Sequence, residues 1–372
     1  MKSPAQLLPP AQRMPPAQRL PWLDWVRGAA ALVMLQGHVF DSFLRKDLKS
    51  GGPFMFSQFL GGMPPAVFLF LLGMTFAFLM DSLERKSVPA ASRVLGALRR
   101  AGYLLACALA FRLQMWIVAF DQKPWTDMLR VDVLNNMAMA VAVFAVMAVF
   151  TTVERIRLCA ILGAAIAFAS PIVSGINWSG MPEIVRNYII PDHAFFGFFP
   201  WAAYVAFGMS FGSILRRVKP NEEPVMMQWT AWAGVAMCFA GLFFANTPLS
   251  VYSSSDFWLN SPALIFIKTG IVLMVIPFAW LWNSGAALAR WSWVRQFGIT
   301  SLLVYWVHIE LVYGRELGVL KETLTLAQTV AMAIGVILLM LGVSLARTNW
   351  AAVRSWLWPE SPATANKLTR GL

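Results

Sequence analysis

Four ionisable residues lie inside one strongly apolar stretch near the start of the chain. The stretch WLDWVRGAAALVMLQGHVFDSFL covers residues 22–44 and contains Asp24, Arg27, His38 and Asp41. A charged side chain is costly in hydrocarbon unless it is paired, faces a protein interior or lines a wet cavity. A neutral imidazole suits proton transfer near neutral pH, and a guanidinium suits phosphate or carbonyl oxygens. The stretch is therefore a candidate for half of an active site.

These four residues share one face of the predicted helix. His38 follows Arg27 by 11 residues, which is close to three turns and about 16 Å of axial rise. Asp24 lies one turn before Arg27, and Asp41 lies one turn after His38. The stripe joins an Asp/Arg pair at one end of the helix to a His/Asp pair at the other. Two alternatives stay open: Asp24 and Arg27 form only a structural pair, or Asp41 pairs with Arg45.

The composition places this helix in a membrane protein. Of the 372 residues, 58% are hydrophobic and 13% are charged, whereas a soluble domain carries about 25% charged residues. The net charge of +12 is typical of a chain with Lys and Arg in its cytoplasmic loops, so it does not indicate nucleic acid binding. The three cysteines lie in apolar runs, and neither HxxH nor CxxC occurs, so we expect no disulfide framework and no metal site.

Ten apolar stretches are long enough to cross a bilayer, which takes roughly 20 residues per helix. When the helices alternate in direction, the loop Lys and Arg residues concentrate on the side of the N-terminus, which places both termini in the cytoplasm. The sequence predicts an all-α, polytopic integral membrane protein. A ten-helix domain at 21–348 follows a disordered Pro-rich tail at 1–20 and precedes an interfacial or disordered cytoplasmic tail at 349–372. The predicted helices are 22–44, 63–83, 93–118, 131–151, 157–174, 194–215, 227–246, 262–283, 296–314 and 326–348.

With this topology, the other polar residues inside helices fall in the outer half of the membrane. All three histidines map to that half, so faces that meet there would form a polar chamber open to the outside. The structural alternative for a histidine near a helix end is an interfacial position. Arg112 and Lys268 have the alternative of snorkelling to the surface. The residues concerned are Arg112, Asp132, Asn135, Asn136, His193, Lys268, His308 and Glu310.

The order of motifs along these helices resembles that of transmembrane acyltransferases. Arg27 and His38 in DWVRGAAALVMLQGH resemble the first helix of the acyltransferase-3 family and of the heparan-alpha-glucosaminide N-acetyltransferase-like family. PPAVFLFLLGMTFAFLM and RVLGALRRAGYLL resemble the second and third helices of these families. VDVLNNMAMAVAV and FGFFPWAAYVAFGMSFG resemble central helices of the glucosaminide branch, and FGITSLLVYWVH resembles the penultimate helix of acyltransferase-3 proteins.

One position departs from the glucosaminide branch. In that branch, the residue at the position equivalent to His38 looks like Asn, and the catalytic histidine lies in the loop after the first helix. In this chain, the loop at 42–62 contains no histidine. This difference favours His38 itself as the catalytic group. It counts against a heparan-type glucosamine as the acceptor.

The resemblance implies an acyltransferase that moves an acyl group from cytoplasmic acyl-CoA, foremost acetyl-CoA, to a hydroxyl or amine of an extracytoplasmic carbohydrate. The chemistry of the residues makes His38 the candidate general base, with Asp41 as a residue that could orient it, and makes His308 a further catalytic candidate. The resemblance implies that Arg27 contacts the CoA donor. The compact loops and the lack of a visible signal peptide favour the bacterial inner (plasma) membrane, with the bilayer as a partner and the oligomeric state open. Arg99 and Arg100 are further donor-site candidates, and His193, Arg112, Lys268 and Glu310 are substrate-binding candidates.

Two other classes of protein are compatible with buried charges among ten helices. One is a secondary transporter of a small polar or anionic solute. The sequence shows no inverted repeat between its halves, and no interrupted helix is evident. The other class is a catalytically silent scaffold or receptor. A His38 variant separates the three, because only an acyltransferase would lose turnover and keep donor binding.

Overall fold

A computed structural model describes residues 20–118, 124–193, 195–247, 251–285 and 291–350. The predicted tails at 1–20 and 349–372 lie almost wholly outside these residues. The described part is helical, and its only β pairing is an isolated bridge between Leu44 and Leu324. The predicted fold class, an all-α polytopic membrane protein, is confirmed. The α-helices of the described residues are α1 Pro21–Phe43, α2 Gly52–Gly61, α3 Pro64–Arg85, α4 Ala90–Val118, α5 Val133–Phe144, α6 Thr152–Gly175, α7 Glu183–Ile189, α8 Phe198–Leu215, α9 Glu223–Asn246, α10 Pro262–Trp282, α11 Trp293–Ile299, α12 Ser301–Tyr313 and α13 Leu326–Thr348.

All ten predicted spans coincide with helical structure. Seven are long and apolar enough, by length and composition, to cross a membrane. They are the stretch Gly52–Arg85, which comprises α2 and α3, and the helices α4, α6, α8, α9, α10 and α13. The other three correspond to α1, to α5 and to the pair α11–α12. α1 is long enough but carries the polar stripe, whereas α5 and α12 are short. The count of ten crossings and the cytoplasmic termini stay predictions.

The ninth predicted span is broken into two helices. Thr300, with φ −114° and ψ 21°, separates α11 from α12, so the expectation that no helix is interrupted is wrong. A buried hydrogen-bond network stabilises the break. The hydroxyl groups of Thr300 and Ser344 lie 2.6 Å apart, and the Gln296 amide donates to Ser344 Oγ at 2.9 Å. The polar groups at the break thus satisfy one another.

The fifth predicted span starts earlier than the sequence indicated. A capping box between Thr151 and Glu154 begins α6 at Thr152 rather than at residue 157. Arg155, predicted in a cytoplasmic loop, is therefore helical and has no exposed surface. Its Nη2 lies 2.9 Å from Glu84 Oε2 of α3. A buried charge is tolerated when it is paired in this way.

Small residues bring α1 into backbone contact with α11. A Cβ on Gly28 would lie 1.8 Å from the Val294 carbonyl oxygen, and a Cβ on Gly298 would lie 1.7 Å from the Asp24 carbonyl oxygen. Glycine at such positions lets helices in a membrane approach closely. α1 also contacts α2, α3, α10, α12 and α13. The polar stripe of α1 consequently lies inside the bundle.

We expect Gly298→Ala to destabilise the protein. The added methyl group meets backbone on α1, which cannot rotate away, so the two helices must separate. Overpacking costs about 1–3 kcal/mol, and we expect the apparent Tm in detergent to fall by several degrees in a tryptophan fluorescence melt. Gly335→Ala on α13 is the matched control, because nothing lies within 4 Å of a Cβ there. Equal Tm values for the two variants would contradict the close contact.

Candidate functional site

Two histidines from distant parts of the chain meet inside the bundle. His38 Nδ1 on α1 lies 2.9 Å from His308 Nε2 on α12. Their rings stack, with centroids 5.2 Å apart and planes inclined by 14°. His308 has no exposed surface, whereas His38 is half-buried. The sequence singled out both residues but did not pair them.

The hydrogen bonds determine which nitrogen of each ring carries the proton. His308 Nδ1 lies 2.7 Å from the Val304 carbonyl oxygen, which can only accept, so His308 Nδ1 donates. A neutral imidazole has one N–H, so His308 Nε2 carries no proton. It therefore accepts a hydrogen bond from the N–H group at His38 Nδ1. His38 Nε2 is then the nitrogen without a proton. That is the form a general base requires.

The predicted orientation of His38 by Asp41 stays a prediction; the side-chain partner of Asp41 in the structure is Tyr313, which stands beside His38. The Tyr313 hydroxyl donates to Asp41 Oδ2 at 2.9 Å, and the Tyr313 ring stands edge-on to His38 at 5.4 Å between centroids. The alternative pairing with Arg45 does not form, since the Arg45 guanidinium bonds to Asp47. His308 is the hydrogen-bond partner of the His38 ring, and Asp41 is the hydrogen-bond partner of Tyr313 beside that ring.

A buried ion pair fixes α4 and α5 next to the histidine pair. Phe111 on α4 packs against Tyr305 and Trp306 of α12, with ring centroids 5.4 and 5.2 Å apart. The neighbouring Arg112 donates from Nε to Asp132 Oδ2 at 3.0 Å, and Asp132 caps the start of α5. Arg112 was predicted to bind substrate or to snorkel. The structure places Arg112 in an ion pair between helices, so it does not snorkel to the surface, and its role in substrate binding stays a prediction.

The contacts continue from α5 to α10. Asn136 donates from Nδ2 to the Phe196 carbonyl oxygen at 3.0 Å, just before α8. The Phe196 ring lies 5.0 Å from the Trp201 ring. Lys268 Nζ on α10 lies 5.4 Å from the centre of that Trp201 ring and donates to the Gly62 carbonyl oxygen at 2.9 Å. Lys268 is 8% exposed and does not snorkel to the surface.

α2 closes these contacts into a ring. A Cβ on Gly37 would lie 2.9 Å from Gly61 Cα, and Gln58 donates from Nε2 to the Gly37 carbonyl oxygen at 3.2 Å. Gly37 precedes His38. The ring therefore runs from α1 through α12, α4, α5, α8, α10 and α2 back to α1. It surrounds the end of the bundle at which α1 finishes, which we call the His38 end.

Two other predicted site residues lie apart from the histidine pair. The His193 side chain is 68% exposed, and its Nε2 lies 3.4 Å from Asp256 Oδ2. Glu310 is half-buried and follows His308 by two residues on α12. Two residues correspond to about 200° around a helix, so Glu310 projects from a different side of α12.

The opposite end of α1, which we call the Arg27 end, opens into a cavity. Arg27 Nη1 lies 3.4 Å from Asp24 Oδ1, in agreement with the predicted pair. Both residues line a cavity of about 660 Å³, together with Arg216 and Lys219 from the segment after α8 and Glu223 of α9. Arg216 is paired with Asp81 of α3, with its Nε 2.7 Å from Asp81 Oδ2. A neighbouring cavity of about 690 Å³ shares Arg216 and Lys219 and also includes Arg85.

Arg99 and Arg100 occupy a different position. Both are exposed on α4, and neither is among the described residues that line the two cavities at the Arg27 end. Arg216 and Lys219 could not be singled out from the sequence as lining this cavity, because basic residues at a cytoplasmic helix end ordinarily serve as membrane anchors. The only signal of these two residues in the sequence is their positive charge.

In the described part of the chain, no group of three or more His, Cys, Asp or Glu residues is arranged to hold a metal ion. Cys107, Cys159 and Cys238 are free thiols.

A family comparison covers the first two thirds of the bundle. A family model described as heparan-alpha-glucosaminide N-acetyltransferase, catalytic, matches residues 19–256, which is more than half of the chain. The match includes Arg27 and His38, whereas Lys268 and His308 lie beyond it. No curated protein sequence was found to match the chain.

Proposed function

Since the chain belongs to the heparan-alpha-glucosaminide N-acetyltransferase family, we propose that it is an acyl-CoA-dependent carbohydrate acyltransferase of the bacterial inner membrane. It transfers an acyl group, foremost acetyl, from cytoplasmic acyl-CoA to a hydroxyl or amine of an extracytoplasmic carbohydrate. The observation that carries the proposal is the His38–His308 pair. This pair leaves His38 Nε2 without a proton, and His38 lies on the same helix as Arg27, the arginine of the proposed donor site.

The base in this reaction is His38 Nε2. It accepts the proton of the acceptor O–H or N–H while the acceptor oxygen or nitrogen attacks the thioester carbonyl carbon. The tetrahedral intermediate collapses, the C–S bond breaks, and the departing sulfur takes the proton back from His38. The products are the acylated acceptor and CoA thiol. While His38 is charged, its Nδ1–H remains bonded to His308 Nε2, which stabilises the imidazolium.

The donor lies along α1. Arg27, Arg216 and Lys219 line the cavity at the Arg27 end and attract the phosphate groups of CoA. The pantetheine arm then runs beside α1 over the axial distance of about 16 Å from Arg27 to His38. This arrangement presents the thioester to His38 from the cytoplasmic side. The acceptor approaches from the opposite side.

Lys268 is the candidate for stabilising the oxyanion of the intermediate. Its ammonium group has three N–H donors, one of which bonds to the Gly62 carbonyl oxygen. Gly62 adjoins the Gly61 contact with α1, so the ammonium lies near the depth of His38 in the ring. A buried cation at such a place favours developing negative charge.

Acetyl-CoA binding tests the donor site. We expect isothermal calorimetry on detergent-purified protein to show Kd raised at least tenfold by Arg27→Ala, equivalent to about 1.4 kcal/mol. Arg216→Ala is expected to weaken binding in the same direction. Arg99→Ala is the control for loss of positive charge and is expected to leave Kd within twofold. Wild-type protein that is folded but binds neither acetyl-CoA nor longer acyl-CoAs would refute the acyl-CoA mechanism and favour the transporter.

A further inference from the structure

Arg216 lines two neighbouring cavities at the Arg27 end of the bundle. One cavity, of about 660 Å³, also contains Arg27, and the other, of about 690 Å³, also contains Arg85. Lys219 lines both cavities as well. Both volumes lie within the range of small-molecule sites, roughly 300–1,000 Å³. Because Arg216 belongs to both cavities, the direction of its guanidinium affects the binding of an anion in either of them.

A buried carboxylate fixes the Arg216 guanidinium. Arg216 Nε donates to Asp81 Oδ2 of α3 at 2.7 Å. Asp81 is 3% exposed, so the carboxylate side of this contact is shielded from water. The guanidinium carbon lies over the Phe78 ring, 5.9 Å from its centre. The side chain of Arg216 is thus held at its Nε edge by Asp81 and on one face by Phe78.

Asp81 is itself fixed by two further groups. The Thr152 hydroxyl at the start of α6 donates to Asp81 Oδ1 at 3.1 Å. Arg85 Nε lies 3.0 Å from Asp81 Oδ2, the oxygen that Arg216 contacts. Arg85 also donates from Nη2 to the Arg216 backbone carbonyl oxygen at 2.9 Å, at the end of α8, where the last carbonyl groups have no partner within the helix. Arg216 is therefore held through both its backbone and its side chain.

This arrangement leaves the outer edge of the Arg216 guanidinium open. A guanidinium has five N–H donors, and the contact with Asp81 uses the one at Nε. In the part of the chain that the structure describes, no hydrogen bond joins Nη1 or Nη2 of Arg216 to another residue. The Arg216 side chain is 39% exposed. Two adjacent Nη groups match two oxygens of one phosphate group, so this open edge is suited to a phosphate.

The contact between α3 and α8 does not depend on these ion pairs. A Cβ on Gly73 would lie 2.0 Å from the Val205 carbonyl oxygen, and a Cβ on Gly208 would lie 1.9 Å from the Phe70 carbonyl oxygen, so the two backbones already touch. A buried ion pair adds little net stability, because the cost of desolvation offsets the attraction. The orientation of Arg216 accounts for the arrangement around Asp81 better than the attachment of α3 to α8 does.

We propose that Asp81 is a positioning residue, which holds Arg216 so that its two Nη groups bind a phosphate group of the donor. The inference rests on the proposed acyltransferase function and deepens it by naming a residue that acts on the donor through another side chain. Charge alone predicts the opposite effect. If Asp81 acted only as a negative charge near the donor, its removal would strengthen the binding of phosphate.

Calorimetry on the full chain in detergent measures Kd for acetyl-CoA and for inorganic pyrophosphate, a simple phosphate probe. We expect Asp81→Ala to raise both Kd values at least fivefold, because the Arg216 guanidinium is then free to rotate and must be ordered on binding. Asp81→Asn is the conservative variant. Its amide oxygen replaces Oδ2 and its amide nitrogen can donate to the Thr152 hydroxyl oxygen, so the position of Arg216 is retained. We expect it to restore both Kd values to within twofold of wild type.

Further variants separate positioning from charge and from stability. Arg216→Lys keeps the positive charge, but one ammonium group cannot bond to Asp81 and also offer two parallel donors, so we expect Kd to rise at least fivefold. In the Arg216→Ala background, Asp81→Ala should change Kd less than twofold, because Asp81 acts through Arg216. Ser210→Ala is the matched control, since it removes the hydrogen bond of 2.8 Å from Ser210 Oγ to the Ile156 carbonyl oxygen between α8 and α6. Neither Ser210 nor Ile156 lines the two cavities, and we expect a lower Tm with both Kd values within twofold.

The outcomes distinguish this inference from the proposed function. If wild-type protein binds pyrophosphate but no acyl-CoA, and the variants change the pyrophosphate Kd as expected, the acyltransferase mechanism fails and the positioning role of Asp81 stands. If acetyl-CoA binds and pyrophosphate does not, the acetyl-CoA values decide. Unchanged or tighter binding by Asp81→Ala, wild-type affinity in Arg216→Lys, an equal loss of affinity in Ser210→Ala, or binding of neither probe would overturn the inference.

Discussion

Replacing His38 by Asn is expected to lower kcat for acetyl transfer by about 10²–10⁴-fold, the usual contribution of a positioned general base. This corresponds to about 3–5 kcal/mol of activation free energy. Asn retains an amide N–H near the position of Nδ1, so it still donates to His308 Nε2. It lacks an atom in place of Nε2. The variant therefore removes the base while preserving the hydrogen bond that holds α1 to α12.

This choice of variant separates catalysis from folding. His38→Ala would leave His308 Nε2 buried without its donor, which costs about 1–3 kcal/mol of stability. With His38→Asn, we expect the Tm to change little and the Kd for acetyl-CoA to stay within twofold, since the proposed donor site lies at the other end of α1. His193→Asn is the matched control, because that histidine is 68% exposed and pairs with Asp256 away from the ring. It is expected to keep kcat within twofold.

The outcome that would contradict this assignment is specific. If His38→Asn retains full kcat while folded, then another group accepts the proton. If it loses acetyl-CoA binding together with turnover, then His38 belongs to the donor site and the division of α1 into a donor end and an acceptor end is wrong. Equal losses in His38→Asn and His193→Asn would indicate a general effect of histidine replacement.

Helix positions could be predicted from the sequence because length and apolarity suffice for that purpose. α4 ends at Val118 and α13 covers Leu326–Thr348, as predicted, because each segment is long and predominantly apolar. The shared face of Arg27 and His38 followed from helical geometry alone. These are local properties of one segment. They require no knowledge of its neighbours.

The pairing of His38 with His308 could not be predicted in the same way. The two residues are 270 positions apart, and their contact depends on which faces of α1 and α12 meet. In a bilayer, lipid and helix interior are both apolar, so the hydrophobic pattern does not distinguish the two faces. Asp41 was assigned to His38 because it is one turn away on the same helix. The structure gives Asp41 a partner from α12, the Tyr313 hydroxyl.

The break at Thr300 was hidden for a related reason. Residues 296–314 read as one apolar run without proline, and nothing local requires the run to be interrupted. The interruption is stabilised by Ser344 on α13, a residue from another part of the chain. Polar residues that appear out of place in one helix are thus accounted for by the helix that packs against it. Sequence periodicity alone does not supply that partner.

The second large effect is expected at His308, which acts through His38. Its Nδ1–H donates to the Val304 carbonyl oxygen, so its Nε2 must accept, and this fixes the proton of His38 on Nδ1. In enzymes with a histidine base, an incorrect tautomer costs up to about 10⁴-fold in kcat. We expect His308→Leu to lower kcat by about 10²–10³-fold, because His38 is then free to carry its proton on Nε2. His308→Gln places a carbonyl oxygen near the position of Nε2, and we expect it to restore kcat to within about tenfold of wild type.

The readout that distinguishes positioning from structural support is the tautomer itself. The chain has three histidines, so ¹⁵N-histidine labelling gives a spectrum that single variants can assign. We expect His38 in the wild type to show a protonated Nδ1 and an unprotonated Nε2, and His308→Leu to shift it towards Nε2–H. His308→Gln should retain the wild-type pattern together with most of the activity, since an amide oxygen accepts but cannot donate. A His308→Leu variant that loses activity with the His38 tautomer unchanged would show that His308 supports the packing of α12 and does not direct the proton.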